Sequence, residues 1–401
     1  LTAMTSSSFS SPEIDRADVL IIGGGMAGAS AAWELSAFAK VILLEREEQC
    51  GYHATGRSAA SFTENYGTTT IRRLAMASRA FLERPPEGFC EHPLMKPRGM
   101  ITIAREDQLN LLEEELARAR QLVPSIRPME VKEALERVGV LRPDYVAAAI
   151  LEPDSREIDV NGLHQGFLRG ARKRGARIVT GAGVQAISRQ GGDWLVDAGK
   201  ERYGAPVLVN AAGAWADGIA AMAGVAPAGL TPLRRTAFNI LVPEGVSTSG
   251  WPLVNDVGGE FYFKPDAAQI FVSPADATPS EPVDAYAEDI DVAIGVDRLE
   301  KATTLKVDRV THSWAGLRTF AADGSPVVGF DPVAEGFFWL AGQGGYGIKT
   351  AAALARTCAE LIRFQRLPAD IQALGVQPDD LAPARLTHSP SRETTRTGII
   401  A

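Results

Sequence analysis

The chain has 401 residues, of which 45% are hydrophobic and 22% are charged, and its formal net charge is −8 at pH 7. This length and composition predict an ordinary globular protein of two or three domains. The acidic balance lacks the basic footprint that nucleic acid requires, and no apolar run reaches the roughly 18 residues of a membrane span. We therefore expect neither a nucleic-acid partner nor a transmembrane segment.

The cysteines and histidines do not follow the spacing of a metal site. Cys50, Cys90 and Cys358 lie far apart and form no C-x-x-C pair, and the five histidines show no metal-ligand spacing. We therefore expect no bound metal and no disulfide framework. Unpaired cysteines are typical of a reducing compartment, so the predicted location is cytoplasmic.

The first element of the chain is an apolar strand over 19–22 that runs into the turn Gly23-x-Gly25-x-x-Gly28. Gly23 permits a tight turn, Gly25 lets the backbone approach a pyrophosphate, and Gly28 lets the following helix pack near the strand. A second apolar strand then ends on Glu45, which is placed to accept hydrogen bonds from a ribose diol. The pattern predicts a dinucleotide site whose ligand carries no 2′-phosphate.

Helices and strands alternate through the middle of the chain. Amphipathic or charged helices are predicted around 105–122, 131–138 and 160–175, and short strands over 177–180, 184–187 and 194–196. A further apolar strand starts at Val207 and leads into Asn-Ala-Ala-Gly-Ala-Trp, residues 210–215. This second small-residue turn predicts a strand that returns to the ligand crevice of the first sheet.

The pattern changes between 232 and about 306 to alternating strand-like segments, which predicts a second, sheet-rich domain. The apolar segment 337–341 then leads into a glycine-rich loop, 342–347, and a long helix. The nucleotide domain is therefore predicted to be discontinuous. We assign 15–80, 150–230 and 310–375 to it, 81–149 and 231–309 to a substrate domain, and 1–14 and 378–401 to flexible tails.

These motifs together resemble the D-amino-acid oxidase family of flavoproteins, and most closely the bacterial FAD-dependent D-arginine dehydrogenases. The similarity covers about 17–385. It is carried by the stretches GYHATGRSAA at 51–60, GFCEHPL at 88–94, VLVNAAGAW at 207–215, SWAGLR at 313–318 and QGGYGI at 343–348. An NAD-dependent Rossmann dehydrogenase is the competing interpretation, but it does not account for the C-terminal glycine loop. The resemblance implies a mixed α/β fold, in which a Rossmann-like FAD-binding domain carries an inserted sheet-rich substrate domain.

The resemblance also implies that FAD is the cofactor and is bound non-covalently. The helix beginning near Gly347 would aim its positive end at the flavin N1/C2=O edge, where reduction leaves negative charge. The residues expected to hold FAD are Gly23, Gly25, Gly28, Glu45, Arg57, Ser58, Ala59, Val184, Gly213, Trp215, Gly344, Gly345, Tyr346, Gly347 and Ile348.

For the substrate, the resemblance implies a carboxylate clamp. Arg235, Arg318 and Tyr262 match the family's α-carboxylate binders, Tyr66 matches its lid tyrosine, and the Gly345 backbone would face the amine and the flavin. Two arginines that converge on one carboxylate fix the α-carbon against the flavin N5.

The chain departs from the arginine dehydrogenases at two places. Where they carry a glutamate for the substrate guanidinium, this chain reads Arg98-Gly99-Met100, and where they carry a histidine it has Ser61. The loss of the acid disfavours a cationic substrate. Other polar residues near the expected pocket are Glu64, Asn65, Asn255 and Asp256, whose roles stay open.

The resulting hypothesis is oxidative deamination of neutral or polar D-amino acids to 2-oxo acids and ammonia. The electrons would pass to an unidentified acceptor, either oxygen or a quinone-type compound. One alternative is oxidation of N-substituted amino acids such as sarcosine. Another is a flavin-binding subunit of a larger complex that has no catalytic role of its own.

Overall fold

The structure, a computed structural model, describes residues 14–386. Of the predicted tails, 1–14 and 378–401, the parts 1–13 and 387–401 lie outside these residues. None of the helices in the described part of the chain is long and apolar enough to cross a membrane.

The nucleotide motif lies in a six-stranded sheet. Its first five strands are parallel and the sixth is antiparallel, in the order Arg177–Val179, Val41–Leu44, Val19–Ile22, Val207–Asn210, Phe337–Ala341 and Val327–Phe330. The strands are continuous apolar runs because both faces of the sheet are covered. The central strands Val19–Ile22 and Val207–Asn210 both end in small-residue turns at the same edge, as predicted.

A second, larger sheet is mixed in direction. Its strands lie in the order Thr278–Pro279, Thr231–Leu241, Gln269–Ser273, Tyr262–Asp266, Leu253–Asp256, Met100–Ala104, Ala148–Glu152 and Arg127–Met129, and Val310–Phe320 also pairs with Thr231–Leu241. One face packs on the helix Asp289–Ala302 through Phe238 and Leu299.

Two smaller sheets and the helices complete the fold. One small sheet contains Ile14–Arg16, Glu201–Ala205, Asp193–Ala198 and Val184–Gln190, and the other contains Ser61–Phe62, Arg156–Ile158 and Met95–Pro97. The α-helices are Met26–Leu35, Thr69–Glu83, Leu109–Arg120, Val131–Arg137, Val160–Lys173, Ala216–Met222, Asp289–Ala302, Gly347–Phe364 and Ala369–Ala373. Short 3₁₀ turns occupy Glu106–Gln108, Gly213–Trp215, Pro378–Asp380 and Pro383–Leu386.

The structure differs from the predicted boundaries at two places. Residues 310–320, which we assigned to the nucleotide domain, form a long strand of the larger sheet instead. The C-terminal segment stays ordered beyond 378, because Leu381 is fully buried and its carbonyl oxygen accepts a hydrogen bond of 2.9 Å from the Val328 amide. The polar composition of this segment concealed the buried Leu381.

Candidate active site

The glycine turn after the first strand is closely packed. Gly23 has a φ of +106°, and a Cβ on Gly28 would lie 1.9 Å from the Gly23 carbonyl oxygen. Any side chain at Gly28 would therefore push the helix Met26–Leu35 away from the turn. The Met26 amide, at the first turn of this helix, donates to Thr55 Oγ1 at 2.9 Å.

Glu45 stabilises the same turn through its carboxylate. Its Oε2 accepts from the Gly24 amide at 2.7 Å, and its Oε1 accepts from the Glu47 amide at 2.9 Å. Because each carboxylate oxygen can accept a further hydrogen bond, Glu45 can also bind a ribose diol.

A deep cleft opens where the six-stranded sheet faces the larger one. Thirteen of the residues expected to hold FAD border it: Gly23, Gly25, Glu45, Arg57, Ser58, Ala59, Val184, Gly213, Trp215, Gly344, Gly345, Gly347 and Ile348. Gly28 lies behind the turn and does not border the cleft, and Tyr346 borders a neighbouring pocket instead.

Arg57 joins the cleft to the larger sheet. Its Nη1 donates to the carbonyl oxygens of Ala285 at 2.6 Å and Ala315 at 3.1 Å, and its Nη2 pairs with Asp284. The guanidinium thus makes three contacts within the protein, and its expected contact with FAD stays a prediction. Arg57 also borders the cleft.

The Trp215 indole is packed between two side chains that the sequence analysis did not identify. The Arg46 guanidinium lies 4.3 Å from the indole centroid, and the His53 ring centroid lies 4.6 Å away. All three residues border the cleft. Their contacts fix the orientation of Trp215 beside the cofactor space.

The C-terminal glycine loop is attached to the strand that carries Arg318. The Gly344 amide donates to the Thr319 carbonyl oxygen at 2.8 Å, and a Cβ on Gly344 would lie 2.3 Å from the Phe320 ring. Two polar atoms beside the cleft, Thr319 Oγ1 and Gln343 Nε2, are buried without a hydrogen-bond partner among residues 14–386. Such atoms, next to the N-terminus of the helix Gly347–Phe364, fit a polar anionic cofactor such as FAD.

A second pocket adjoins the cleft and shares residues with it. Arg235, Tyr262, Arg318 and Gly345 border both cavities, whereas Tyr66 borders the second pocket alone. The predicted substrate residues therefore meet at the junction between the cofactor cleft and this pocket.

Strand register explains why the two arginines meet. Arg235 pairs with Gly316, and Arg318 pairs with Leu233, so the arginines are diagonal neighbours on one face of an antiparallel ladder. Gly316 opposite Arg235 has no side chain that would compete for this face. If the pairing register of the two strands shifted by one residue, one of the arginines would move to the other face of the sheet.

Burial, the repulsion between two arginines and the neighbouring tyrosines set the electrostatics of this junction. Burial, followed by repulsion from Arg318, lowers the pKa of Arg235, whose Nε donates to the Asp276 carbonyl oxygen. Burial acts to lower the pKa of Arg318 as well, but Tyr262 and two other tyrosines raise it overall. Arg318 Nη2 lies 3.4 Å from the Tyr262 hydroxyl oxygen. Within residues 14–386 no carboxylate lies within ion-pair distance of Arg318, so its charge calls for an anionic ligand.

Tyr66 and Tyr346 close one side of the second pocket. Their ring centroids are 5.1 Å apart in an edge-to-face arrangement, and burial together with Tyr66 raises the pKa of Tyr346. The buried Lys349 lies behind both rings, and its Nζ donates to the carbonyl oxygens of Thr63 at 2.9 Å and Tyr66 at 2.7 Å. The sequence analysis did not single out this lysine.

The outer wall of the pocket comes from the helix Leu109–Arg120. Its residues Leu111, Glu114, Glu115 and Arg118 all border the pocket, at the spacing of one helix face. Glu115 accepts from Asn65 Nδ2 at 2.8 Å and pairs with Arg118. We predicted this helix but not its place in the site, although the spacing could have indicated a common face.

The four polar residues whose roles the sequence left open lie in different surroundings in the structure. Asn65 and Asn255 border the pocket. Glu64 pairs with Arg79 at 2.7 Å, and Asp256 is fully buried, where its Oδ1 accepts from the Gly258 amide at 2.9 Å. Neither of these two acids borders the pocket.

The segment 98–100, where the arginine dehydrogenases carry a glutamate, presents an apolar side chain to the pocket. Met100 borders the pocket, while Arg98 points elsewhere and pairs with Glu157 at 2.5 Å. Ser61, in place of the family histidine, also borders the pocket, and its buried hydroxyl has no partner within the described part of the chain.

Comparison with known proteins identifies the family and the fold of the chain. Residues 18–361 match the model of the FAD dependent oxidoreductase family, DAO. The chain is 23% identical to bovine (Bos taurus) FAD-dependent oxidoreductase domain-containing protein 1, covering 87% of this chain and 81% of that one. It is 24% identical to mitochondrial dimethylglycine dehydrogenase of Rattus norvegicus, covering 89% of this chain but only 44% of that one.

Among solved structures, glycine oxidase from Geobacillus kaustophilus superposes with a TM-score of 0.78 at 22% identity, covering 88% of this chain and 96% of that one. This likeness confirms the predicted α/β fold. With the family match over most of the chain, it shows that the protein belongs to the FAD dependent oxidoreductase (DAO) family and that FAD is its cofactor.

Proposed function

We propose that the protein oxidises the Cα–N bond of an α-amino acid whose carboxylate is bound by Arg235 and Arg318. The observation that carries this proposal is the junction itself, where both arginines and Tyr262 border the cofactor cleft and the second pocket. A carboxylate held there places the α-carbon at the boundary between the two cavities.

The chain contributes mainly orientation and charge stabilisation. Arg235 and Arg318 bind the carboxylate, Tyr262 donates its hydroxyl to it, and Tyr66 and Tyr346 exclude water from the pocket side. The loop 343–347 and the helix behind it present backbone amides toward the cleft, where negative charge develops. FAD, held by the residues that border the cleft, would supply the hydride acceptor for Cα, and water would then hydrolyse the imino acid to a 2-oxo acid and ammonia.

The first candidate substrates are neutral or polar D-amino acids, as the sequence resemblance implied. Met100 occupies the wall where a glutamate would neutralise a cationic side chain, and Glu115 is already paired with Arg118. The other acid that borders the pocket, Glu114, is exposed on the helix Leu109–Arg120, so its attraction to a guanidinium would be weakened by solvent.

The second candidate is an N-substituted amino acid. The likeness to dimethylglycine dehydrogenase supports it, and the same carboxylate clamp would serve such a substrate. The substituent on nitrogen would then occupy the space that a primary amine leaves open.

The test is anaerobic reduction of the purified flavoprotein by candidate substrates. The loss of flavin absorbance measures the reduction. The panel contains D- and L-alanine, D-serine, D-arginine, glycine, sarcosine and N,N-dimethylglycine. Rapid bleaching by neutral D-amino acids supports the first candidate, and bleaching restricted to sarcosine or dimethylglycine supports the second. Absence of bleaching by all of them contradicts the proposal.

The clamp is tested with Arg318→Ala, for which KM should rise by about 100-fold because a charged hydrogen-bond partner is lost. The matched control is Arg309→Ala, an exposed arginine outside the site. An unchanged KM for Arg318→Ala would remove the clamp from the proposal.

A further inference from the structure

We propose that Lys349 is the base that takes a proton from the α-ammonium group of the substrate before Cα is oxidised. This inference rests on the proposed function, because it concerns an amine substrate held at the junction of the two cavities. Lys349 borders the same pocket as Arg235, Tyr262 and Arg318, and only 3% of its surface is exposed.

The two hydrogen bonds that Lys349 Nζ donates leave its lone pair available to accept a proton. Nζ donates to the carbonyl oxygens of Thr63 and Tyr66, at 2.9 and 2.7 Å. A neutral amine has two hydrogens, which these two carbonyls satisfy, and one lone pair. The lone pair is the group that can accept a proton.

Two aromatic residues that border the pocket, Tyr66 and Tyr346, lie beside this nitrogen. Nζ lies 5.4 Å from the ring centroid of Tyr66 and 5.4 Å from that of Tyr346. A cation formed on Nζ would be stabilised by both ring faces. The same rings shield it from bulk water.

The charged groups around Lys349 have opposing effects. Glu152 and Glu64 favour its protonated form, whereas Arg72 and Arg118 disfavour it. Burial is the largest influence and lowers the pKa of Lys349 to about 7, so the neutral base is available near neutral pH. Glu152, itself 4% exposed, has its pKa raised to about 7 by burial, and no ion-pair contact joins it to Lys349 within residues 14–386.

Such a base answers a chemical requirement of amine oxidation. As hydride leaves Cα, the nitrogen lone pair forms the C=N bond, and an ammonium nitrogen has no lone pair to give. The step is R–NH₃⁺ plus Lys–NH₂ giving R–NH₂ plus Lys–NH₃⁺, in which one N–H bond breaks and another forms. Lys349 returns its proton to water after the product leaves.

The experiment compares wild type with Lys349→Met by anaerobic stopped-flow reduction of the bound flavin between pH 6 and pH 10. At pH 7 the variant should be slower by on the order of 100-fold, because the substrate must lose its proton to solvent. At pH 10 the difference should nearly disappear, since the free substrate is then largely neutral. In Lys349→Ala, added ethylamine should restore part of the rate at pH 7.

Three controls make the result specific. Lys264→Met removes another buried lysine, which pairs with Glu157 and borders neither cavity, and it should leave the pH profile unchanged. The Kd of acetate, a ligand for the clamp alone, should be the same in wild type and Lys349→Met. The FAD content of each variant is measured by absorbance.

Two outcomes overturn the inference while leaving the proposed function intact. One is a Lys349→Met profile that coincides with that of wild type. The other is a loss of rate that is equal at pH 7 and pH 10, which indicates a structural role for the Thr63 and Tyr66 contacts. If wild type itself is not reduced by any amino acid, it is the proposed function that fails.

Discussion

Gly345 lies directly against the guanidinium of Arg318: a Cβ built on Gly345 would be 3.0 Å from Arg318 Nη1 and 3.1 Å from its Cζ. The glycine loop therefore does more than approach the cofactor. It also limits where the Arg318 guanidinium can lie, so the glycine loop and the proposed carboxylate clamp are mechanically linked.

We expect Gly345→Ala to displace the Arg318 guanidinium and to raise the substrate KM by about 10-fold, because a small displacement weakens bidentate binding. FAD content should be retained. The matched control is Gly139→Ala, where an added Cβ meets no atom within 4 Å. Steady-state kinetics measure KM for both variants. Equal KM values would contradict the link between Gly345 and the position of Arg318.

Arg57 should contribute to stability by joining the turn segment 51–57 to Ala285 and to the strand Val310–Phe320. We expect Arg57→Met to lower the free energy of unfolding by about 1–3 kcal/mol, because it leaves the Ala285 and Ala315 carbonyls without this donor. Arg189→Met, which removes an exposed pair with Glu335, should cost less than about 0.5 kcal/mol. Denaturant titration measures both, and similar losses would argue against the special role of Arg57.

The substrate preference should respond to an acid at Met100. We expect Met100→Glu to raise kcat/KM for D-arginine by about 10-fold, since the new carboxylate faces the pocket where a cationic side chain would lie. Met100→Gln has a similar shape without the charge and should give no such gain. A gain in both variants would point to pocket shape rather than charge.

Lys349 should also make stability depend on pH. Its folded pKa of about 7 is below the ordinary value of 10.5, so between these values the unfolded chain holds a proton that the folded chain lacks. The free energy of unfolding of wild type, relative to Lys349→Met, should therefore increase as pH rises from 7 to 10.5. Thermal unfolding across this range measures it, and a constant difference would contradict the lowered pKa.

The sequence predicted the nucleotide sheet well because its signals are local. The turn at Gly23, the acid Glu45 and the strand end at 210–215 each depend on neighbouring residues, and the strands lie where the motifs placed them. The C-terminal strand and helix were predicted for the same reason. The α/β fold and FAD as cofactor are confirmed by the comparisons.

The parts that the sequence did not reveal depend on contacts between distant segments. In the sequence, nothing distinguishes Lys349 from the other residues of the predicted C-terminal helix. Its amine reaches the Thr63 and Tyr66 carbonyl oxygens only in the folded chain. The strand Val310–Phe320 begins the last segment that we assigned to the nucleotide domain, but it pairs with Thr231–Leu241 of the larger sheet. Register across a sheet is set by side-chain packing, which no local pattern specifies.

The ladder that carries Arg235 and Arg318 also has a consequence for biosynthesis. Four strands of the larger sheet and the helix Asp289–Ala302 lie between its two strands, Thr231–Leu241 and Val310–Phe320, in the chain. The pairing therefore closes a long loop and has high contact order. A nascent chain cannot form the carboxylate site until residue 320 has left the ribosome. The half-made protein would thus be unable to bind a carboxylate at this site, and the proposed substrate recognition would be among the last properties that the chain acquires.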